Sequence, residues 1–231
     1  MTGAMDGRRR AVIAIDGPAG AGKSTLARHL AQRFGFLNLE SGAMYRALAL
    51  CALESATPLH DEAALMHLAA ATQIVLEPRA EESNRVVLNG RDVTARIREK
   101  DVAEAASLVS VHPQVRAWMV ERQRALGQAG GVVMEGRDIG TKVFPDAEVK
   151  IFLDAKDDIR GQRRFLEQAG DQGPQTPEAV LAAVRERDTR DRNRATSPLV
   201  PAADAVHLDT SAMTLEEVLQ RAEELVRARV R

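Results

Sequence analysis

The chain has 231 residues, a formal net charge of −1 and few aromatics, so one aliphatic core with at most a small appended lobe accounts for its length. The near-neutral charge argues against nucleic-acid binding and against an anionic membrane surface, and no apolar run approaches the roughly 18 residues of a membrane span. A single cysteine, Cys51, excludes an internal disulfide and suits a reducing compartment, which makes a cytoplasmic protein with Cys51 as a small core residue the expectation.

Residues 1–10 read as a loose tail, and Ala11 to Ile15 as a buried strand. The strand runs into Gly17, Pro18, Ala19, Gly20, Ala21, Gly22, Lys23, Ser24 and Thr25, which fit G-x-x-x-x-G-K-[ST], the phosphate-binding P-loop. Leu26, Leu30 and Phe34 then recur at helical spacing, so the motif lies between a strand and a helix. There its glycines let successive amides curl inward, and the helix N-terminus adds positive partial charge. Lys23 is placed to reach the β- and γ-phosphates of ATP, and the Ser24 hydroxyl to ligate Mg²⁺.

Phe36 to Leu39 predicts a second strand ending at Glu40-Ser41-Gly42, with helices from about Ala43 to Glu54 and Asp61 to Ala71. Gln73 to Glu77 and Arg85 to Leu88 are short strand-like runs, and Asn89-Gly90 is a hairpin turn before Arg91-Asp92-Val93. Together they form a small antiparallel patch that reads as an insertion. Helical pattern resumes from Asp101 to Val109, and Pro113 opens a helix carrying Val115, Met119, Arg122 and Leu126. Val132 to Met134 is a buried strand leading into Glu135-Gly136-Arg137-Asp138, and Val149 to Leu153 is another, ending at Asp154. A helix from Asp157 to Gln168 holds Arg160, Arg163 and Arg164, and a polar loop covers residues 170–174. Thr176-Pro177 caps a helix running through Arg187, Ala205 to Leu208 is the last strand, and Thr214 with Glu217 fits a capping box. Five apolar strands alternating with helices indicate a three-layer α/β fold with a parallel sheet, whose ligands gather at the carboxyl ends of the strands.

Arginine is concentrated near those ends: Arg46, Arg116, Arg137, Arg160, Arg163, Arg164, Arg187 and Arg194. Its planar fork suits phosphate and the charge that spreads over a transferring phosphoryl group. Arg185, Arg190 and Arg192 read equally well as a solvated charged face. The five histidines lie in no catalytic motif. A phosphate monoester needs no general base, because its second pKa is roughly 6. A P-loop with many arginines and no evident base therefore fits transfer from ATP to another phosphate.

At this point the chain resembles bacterial cytidylate kinases over nearly its whole length. The resemblance is carried by Ile15 through Thr25, Ser41-Gly42-Ala43-Met44-Tyr45-Arg46, Gly136-Arg137-Asp138-Ile139-Gly140-Thr141, Val143 to Ala147, Lys150 to Ala155, and Arg187-Asp188-Thr189-Arg190-Asp191-Arg192-Asn193-Arg194. It implies a single-domain P-loop NTPase fold with a five-stranded parallel sheet. The core would be residues 10–69, 106–156 and 175–231, the monophosphate-binding insert about 70–105 and a mobile lid about 157–174. It implies phosphorylation of CMP and dCMP by ATP with Mg²⁺. Carried over by position, Lys23, Arg137, Arg163 and Arg164 are the catalytic residues, and Arg160 joins the P-loop at ATP. Arg46, Arg137 and Arg194 resemble phosphate ligands; Ser41, Arg116 and Asp138 resemble base readers; Arg187, Asp191 and Ser107 resemble pentose contacts. Glu40 and Glu135 stand where the family often has Asp, and either acid is placed to hold the waters of Mg²⁺. A monomer is expected, since no spare amphipathic face asks for a partner. The rival readings are another small P-loop kinase, acting on UMP, AMP or shikimate, and a nucleotide-dependent switch.

Overall fold

The computed structural model describes residues 11–79, 83–168 and 176–230, so the expected tail at 1–10 and the expected loop at 170–174 lie outside the described residues. Its centre is a five-stranded parallel sheet. In chain order the strands are β1 (Val12–Asp16), β2 (Leu37–Glu40), β6 (Val132–Gly136), β7 (Val149–Asp154) and β8 (Val206–Asp209), lying side by side as β2-β6-β1-β7-β8. β1 is paired on both edges and buried at every position, which is why it reads as a continuous apolar run rather than an alternation.

The period-two geometry of the sheet still sorts its side chains. Ile13 and Ile15 point with Val133, Ile151 and Leu153 into a core closed by Leu26 and Leu30 of α1 (Lys23–Phe34) and by Val218, Ala222 and Val226 of α8 (Leu215–Arg229). Val12 and Ala14 point the other way, with Leu39 and Met134, onto Ile139, Val143 and Phe144. A third core joins α2 (Ser41–Glu54), α3 (Glu62–Ala70), α4 (Lys100–Val109) and α5 (Pro113–Gly127) to a separate antiparallel sheet of β3 (Ile74–Glu77), β4 (Arg85–Leu88) and β5 (Arg91–Asp92). The Asn89-Gly90 hairpin forms as the sequence predicts, both residues taking positive φ, +49° and +81°. Asn84 ties this small sheet to the large one: its Oδ1 accepts from Glu40 N at 2.8 Å and its Nδ2 donates to Asn38 O at 2.8 Å.

Two further α-helices among the described residues are α6 (Asp157–Gln168) and α7 (Pro177–Asn193). The capping box at Thr214 is present, and Thr176 caps α7 by accepting from Ala179 N. α7 runs six residues past Arg187, where the sequence reading ended it. The apolar stripe stops there, but the charged residues are good helix formers, and Arg190 pairs with Glu186 one turn back. This extension puts Arg187, Asp188 and Asp191 on one helix and Arg194 at its C-cap. Among the described residues, no helix is long and apolar enough to cross a membrane.

Candidate active site

The strands deliver their carboxyl ends to one crevice. The chain leaves β1 at Asp16, while β2 and β6 end beside it at Glu40 and Gly136. The P-loop turns sharply over this edge. Gly17 has φ +150°, and a Cβ there would lie 1.9 Å from the Leu153 carbonyl oxygen, so only glycine lets the loop pass β7. α1 then starts at Lys23 with no side-chain cap, and the Lys23 ammonium folds back to donate to Pro18 O at 2.6 Å. The Ser24 hydroxyl donates to Glu135 Oε1 at 2.6 Å, bringing the last acid of β6 to the P-loop serine. Glu40 stands elsewhere, between Arg46 at 3.7 Å and Arg98 at 3.5 Å.

Cations gather around this point. Lys23 is pushed down to about 7, first by burial and then by Arg137 and Arg187. Arg187 is pushed down to about 10, first by burial and then by Arg137, with Arg46 and Arg164 adding to it. Arg46 is lowered as well, by burial above all, with Arg98 and Arg164 opposing it further. These five cations, Lys23, Arg46, Arg137, Arg164 and Arg187, therefore face one region. Arg46 and Arg187 each keep a buried Nε–H with no hydrogen-bond acceptor. Buried donors are normally satisfied, and Arg116 Nε and Arg194 Nη2 are left open in the same way, so spare N–H groups run along the whole site, although Arg46, Arg137 and Arg164 each have a carboxylate partner.

Farther from the P-loop the charges are balanced. Arg116, 2% exposed, donates to Asp138 Oδ2 at 2.6 Å and lies 5.5 Å from the Tyr45 ring centroid. Arg194 bonds Asp191 Oδ1 at 3.2 Å, and Arg137 Nε donates to Asp191 Oδ2 at 2.9 Å. Burial alone would raise the Asp191 carboxyl; Arg137, Arg187 and Arg194 hold it below its ordinary value instead. Ser41 donates to Glu135 O at 2.6 Å, and Ser107 accepts from Arg190 Nη1 at 2.6 Å. Arg190, which the sequence left at even odds with a solvated face, is thus part of this wall.

The arginines of α6 separate. Arg164 faces the cation cluster and pairs with Glu167 at 3.1 Å. Arg163 donates to Thr210 Oγ1 and O, both at 3.0 Å, on the loop after β8. Arg160, expected at ATP, is 1% exposed and bonded to Ala155 O, Ala19 O, Asp157 and Asp188, a buried pin under the P-loop rather than a free arm. The reason is its position near the start of α6, where its fork meets carbonyls at the end of β7 and in the loop.

The family model described as Cytidylate kinase matches residues 13–228. The chain belongs to the cytidylate kinase family. Cytidylate kinases from Geobacillus kaustophilus and Pelotomaculum thermopropionicum are 48% and 51% identical to it, the first over 96% of this chain and 99% of its own length, the second over 90% and 92%. The solved structure of an uncharacterized protein from Eubacterium ventriosum shares the fold alone, with a TM-score of 0.51 at 12% identity over 95% of this chain and all of that one.

Several residues of this cytidylate kinase chain were not singled out by sequence. Asp16 accepts from Ile139 N at 2.8 Å and Gly140 N at 2.7 Å, fixing the turn after Asp138, and burial pushes its carboxyl up to about 6. A charged residue closing an apolar strand was its signal. Asp188 lies inside the Arg187-to-Arg194 motif but received no role there, and Asn84 carried no signal, because a residue's use as a clamp depends on what the fold brings beside it.

Proposed function

We infer that this chain transfers the γ-phosphoryl group of ATP to the phosphate of CMP and of dCMP, giving CDP and dCDP. The observation that carries the reading is the cluster of Lys23, Arg46, Arg137, Arg164 and Arg187, with unsatisfied buried N–H groups, set between the P-loop and the Asp138–Arg116 wall. Two phosphates meeting there add negative charge beside Lys23 and Arg187, whose protonation burial and neighbouring arginines oppose. Catalysis then rests on orientation and charge neutralisation.

The P-loop amides of 17–25 and Lys23 hold the donor phosphates, and Arg137 and Arg164 neutralise charge on the moving group. Arg163 acts from the nucleotide side of α6, and Arg160 holds the P-loop beneath it. Arg46, Arg137 and Arg194 take the acceptor phosphate. Arg187, implied by resemblance to contact the pentose, stands among the phosphate-side cations and serves that phosphate as well. Asp191 and Ser107 face the sugar, while Ser41, Arg116 and Asp138 read the base. A carboxylate at Asp138 accepts from the exocyclic amine of cytosine and opposes the carbonyl of uracil.

Ser24 and Glu135 fit Mg²⁺, since a hydroxyl and a carboxylate 2.6 Å apart beside the P-loop are the hard oxygen donors this ion takes. Ser24 would hold it directly and Glu135 through water, and Glu40 is withdrawn by Arg46 and Arg98. The ion supplies charge neutralisation on the β- and γ-phosphate oxygens. The enzyme works as a cytoplasmic monomer on small molecules, with neither nucleic acid nor membrane as partner; its near-neutral charge supports the last point.

ATP consumption with CMP, dCMP, UMP, AMP and shikimate tests the reading. CMP and dCMP should support the fastest turnover. Preferred use of shikimate, or slow hydrolysis indifferent to any monophosphate, would overturn it.

A further inference from the structure

The peptide of Ala19, in the middle of the P-loop, is gripped on both sides by one buried ion pair. Its N–H donates to Asp188 Oδ1 of α7 at 3.1 Å, and its carbonyl accepts from Arg160 Nη1 of α6 at 2.8 Å. The same Nη1 meets Asp188 Oδ2 at 2.5 Å, which closes a ring of three contacts. Arg160 and Asp188 are 1% and 3% exposed. Arg160 is anchored again by Nε to Ala155 O at 2.8 Å, where the chain leaves β7. A Cβ on Gly20 would lie 2.8 Å from Arg160 O, so the P-loop rests directly on the α6 backbone. α6 and α7 are packed equally closely, since a Cβ on Gly161 would lie 2.9 Å from Leu181 Cδ1.

α7 is also the helix of the acceptor side. Arg187 precedes Asp188, Asp191 follows one turn later, and Arg194 is the C-cap. A helix moves as a unit, so an anion that draws Arg187 and Arg194 inward carries Asp188 with them, and Asp188 carries Ala19. We propose that Asp188, with Arg160, is a positioning pair that couples the P-loop to the acceptor-binding helix, so that filling one nucleotide site sets the affinity of the other. This rests on the assignment of Arg187, Asp191 and Arg194 to the acceptor side. Such coupling is reciprocal, and typical factors are about 5- to 150-fold.

The test is the affinity of a non-hydrolysable ATP analogue, measured by calorimetry with and without CMP, on wild type, Asp188→Asn and Arg160→Lys. Asparagine keeps the shape but turns an N–H toward one of two donors; lysine keeps the charge but loses the fork. If Asp188→Asn folds poorly, Arg160→Lys carries the same readouts. CMP should tighten analogue binding to wild type. Either variant should weaken the analogue about tenfold and shrink the effect of CMP toward none, while CMP binding alone stays within about twofold. Unchanged analogue affinity and an unchanged CMP effect, with only a lower melting temperature, overturn the proposal and leave a structural ion pair. Loss of CMP binding by itself also overturns it, since Asp188 would then organise the acceptor site. Wild type that never phosphorylates CMP would sink the functional reading instead, and the analogue would still show whether Asp188 sets the P-loop.

Discussion

At the P-loop end of the site, Lys23 and Arg187 form no ion pair among the described residues, and burial and Arg137 lower both; at the far end Arg116 has Asp138 at 2.6 Å and Arg194 has Asp191 at 3.2 Å. The unbalanced end stores repulsion that a polyanion relieves, so its residues favour ligand over fold. At the far end the charges are paired before anything binds, although Arg116 Nε and Arg194 Nη2 are buried without an acceptor, so the ion pairs hold these side chains in direction. Substitutions at the two ends should therefore move stability in opposite directions.

The largest effect is expected from Lys23→Ala. Turnover should fall about a hundredfold, or ~3 kcal/mol, while the free protein melts no lower, because a buried cation held near 7 has gone. Turnover within a few-fold of wild type would remove Lys23 from the mechanism. Asp138→Ala is the counterpart. It strands Arg116 as a buried unpaired charge and should lower the melting temperature clearly. Its kcat/KM for CMP should drop about ten- to a hundredfold, the value of a hydrogen bond to a charged group, and that for UMP much less. Equal losses for both substrates would make Asp138 an organiser of Arg116, not a reader of the base.

Arg187→Met sharpens the contrast. Without ligand this variant should gain about 1–2 kcal/mol, a few degrees on the melting curve, because the substitution removes a buried cation pushed down to about 10. Added pyrophosphate should raise its melting temperature less than that of wild type. A variant that melts lower would show that the two ends do not differ as described. The smallest effect is a proton. Lys23 in the free protein titrates near 7, so at pH 8 it is mostly neutral, and a bound triphosphate should recharge it. Calorimetry in buffers of different ionisation enthalpy should show uptake of about one proton per ATP analogue, absent in Lys23→Ala. The same shift has a sign in folding. Between about 7 and 10.5 the unfolded chain keeps the proton that the folded one releases, so this group's contribution to stability rises with pH across that window. For Asp16, raised to about 6 from 3.8, the contribution falls as pH rises between those values.

The five parallel strands, the P-loop between a strand and a helix, and the Asn89-Gly90 hairpin were all legible in the sequence, because each depends on neighbours a few residues apart: a buried apolar run, a glycine at positive φ, a cap. Family motifs pointed to Arg46, Arg137 and Arg194 for the same reason, as short strings with their own chemistry. The last turns of α7 were not legible, since hydrophobic period fades where the face it would mark is lined with charge.

What the amino-acid order determined by itself is the set of elements and the supply of a P-loop and arginines at their ends. Only the tertiary structure decided how those charges divide. It set Glu135 on Ser24 while Glu40 went to Arg46 and Arg98, buried Arg160 against the P-loop carbonyl of Ala19, and left Arg187 beside other cations. The physical reason is range. Backbone conformation is set over one turn of chain, whereas the bonding of buried charged groups is set by distances of a few ångströms between residues far apart in sequence, as for Arg160 and the Ala19 carbonyl, 141 positions away.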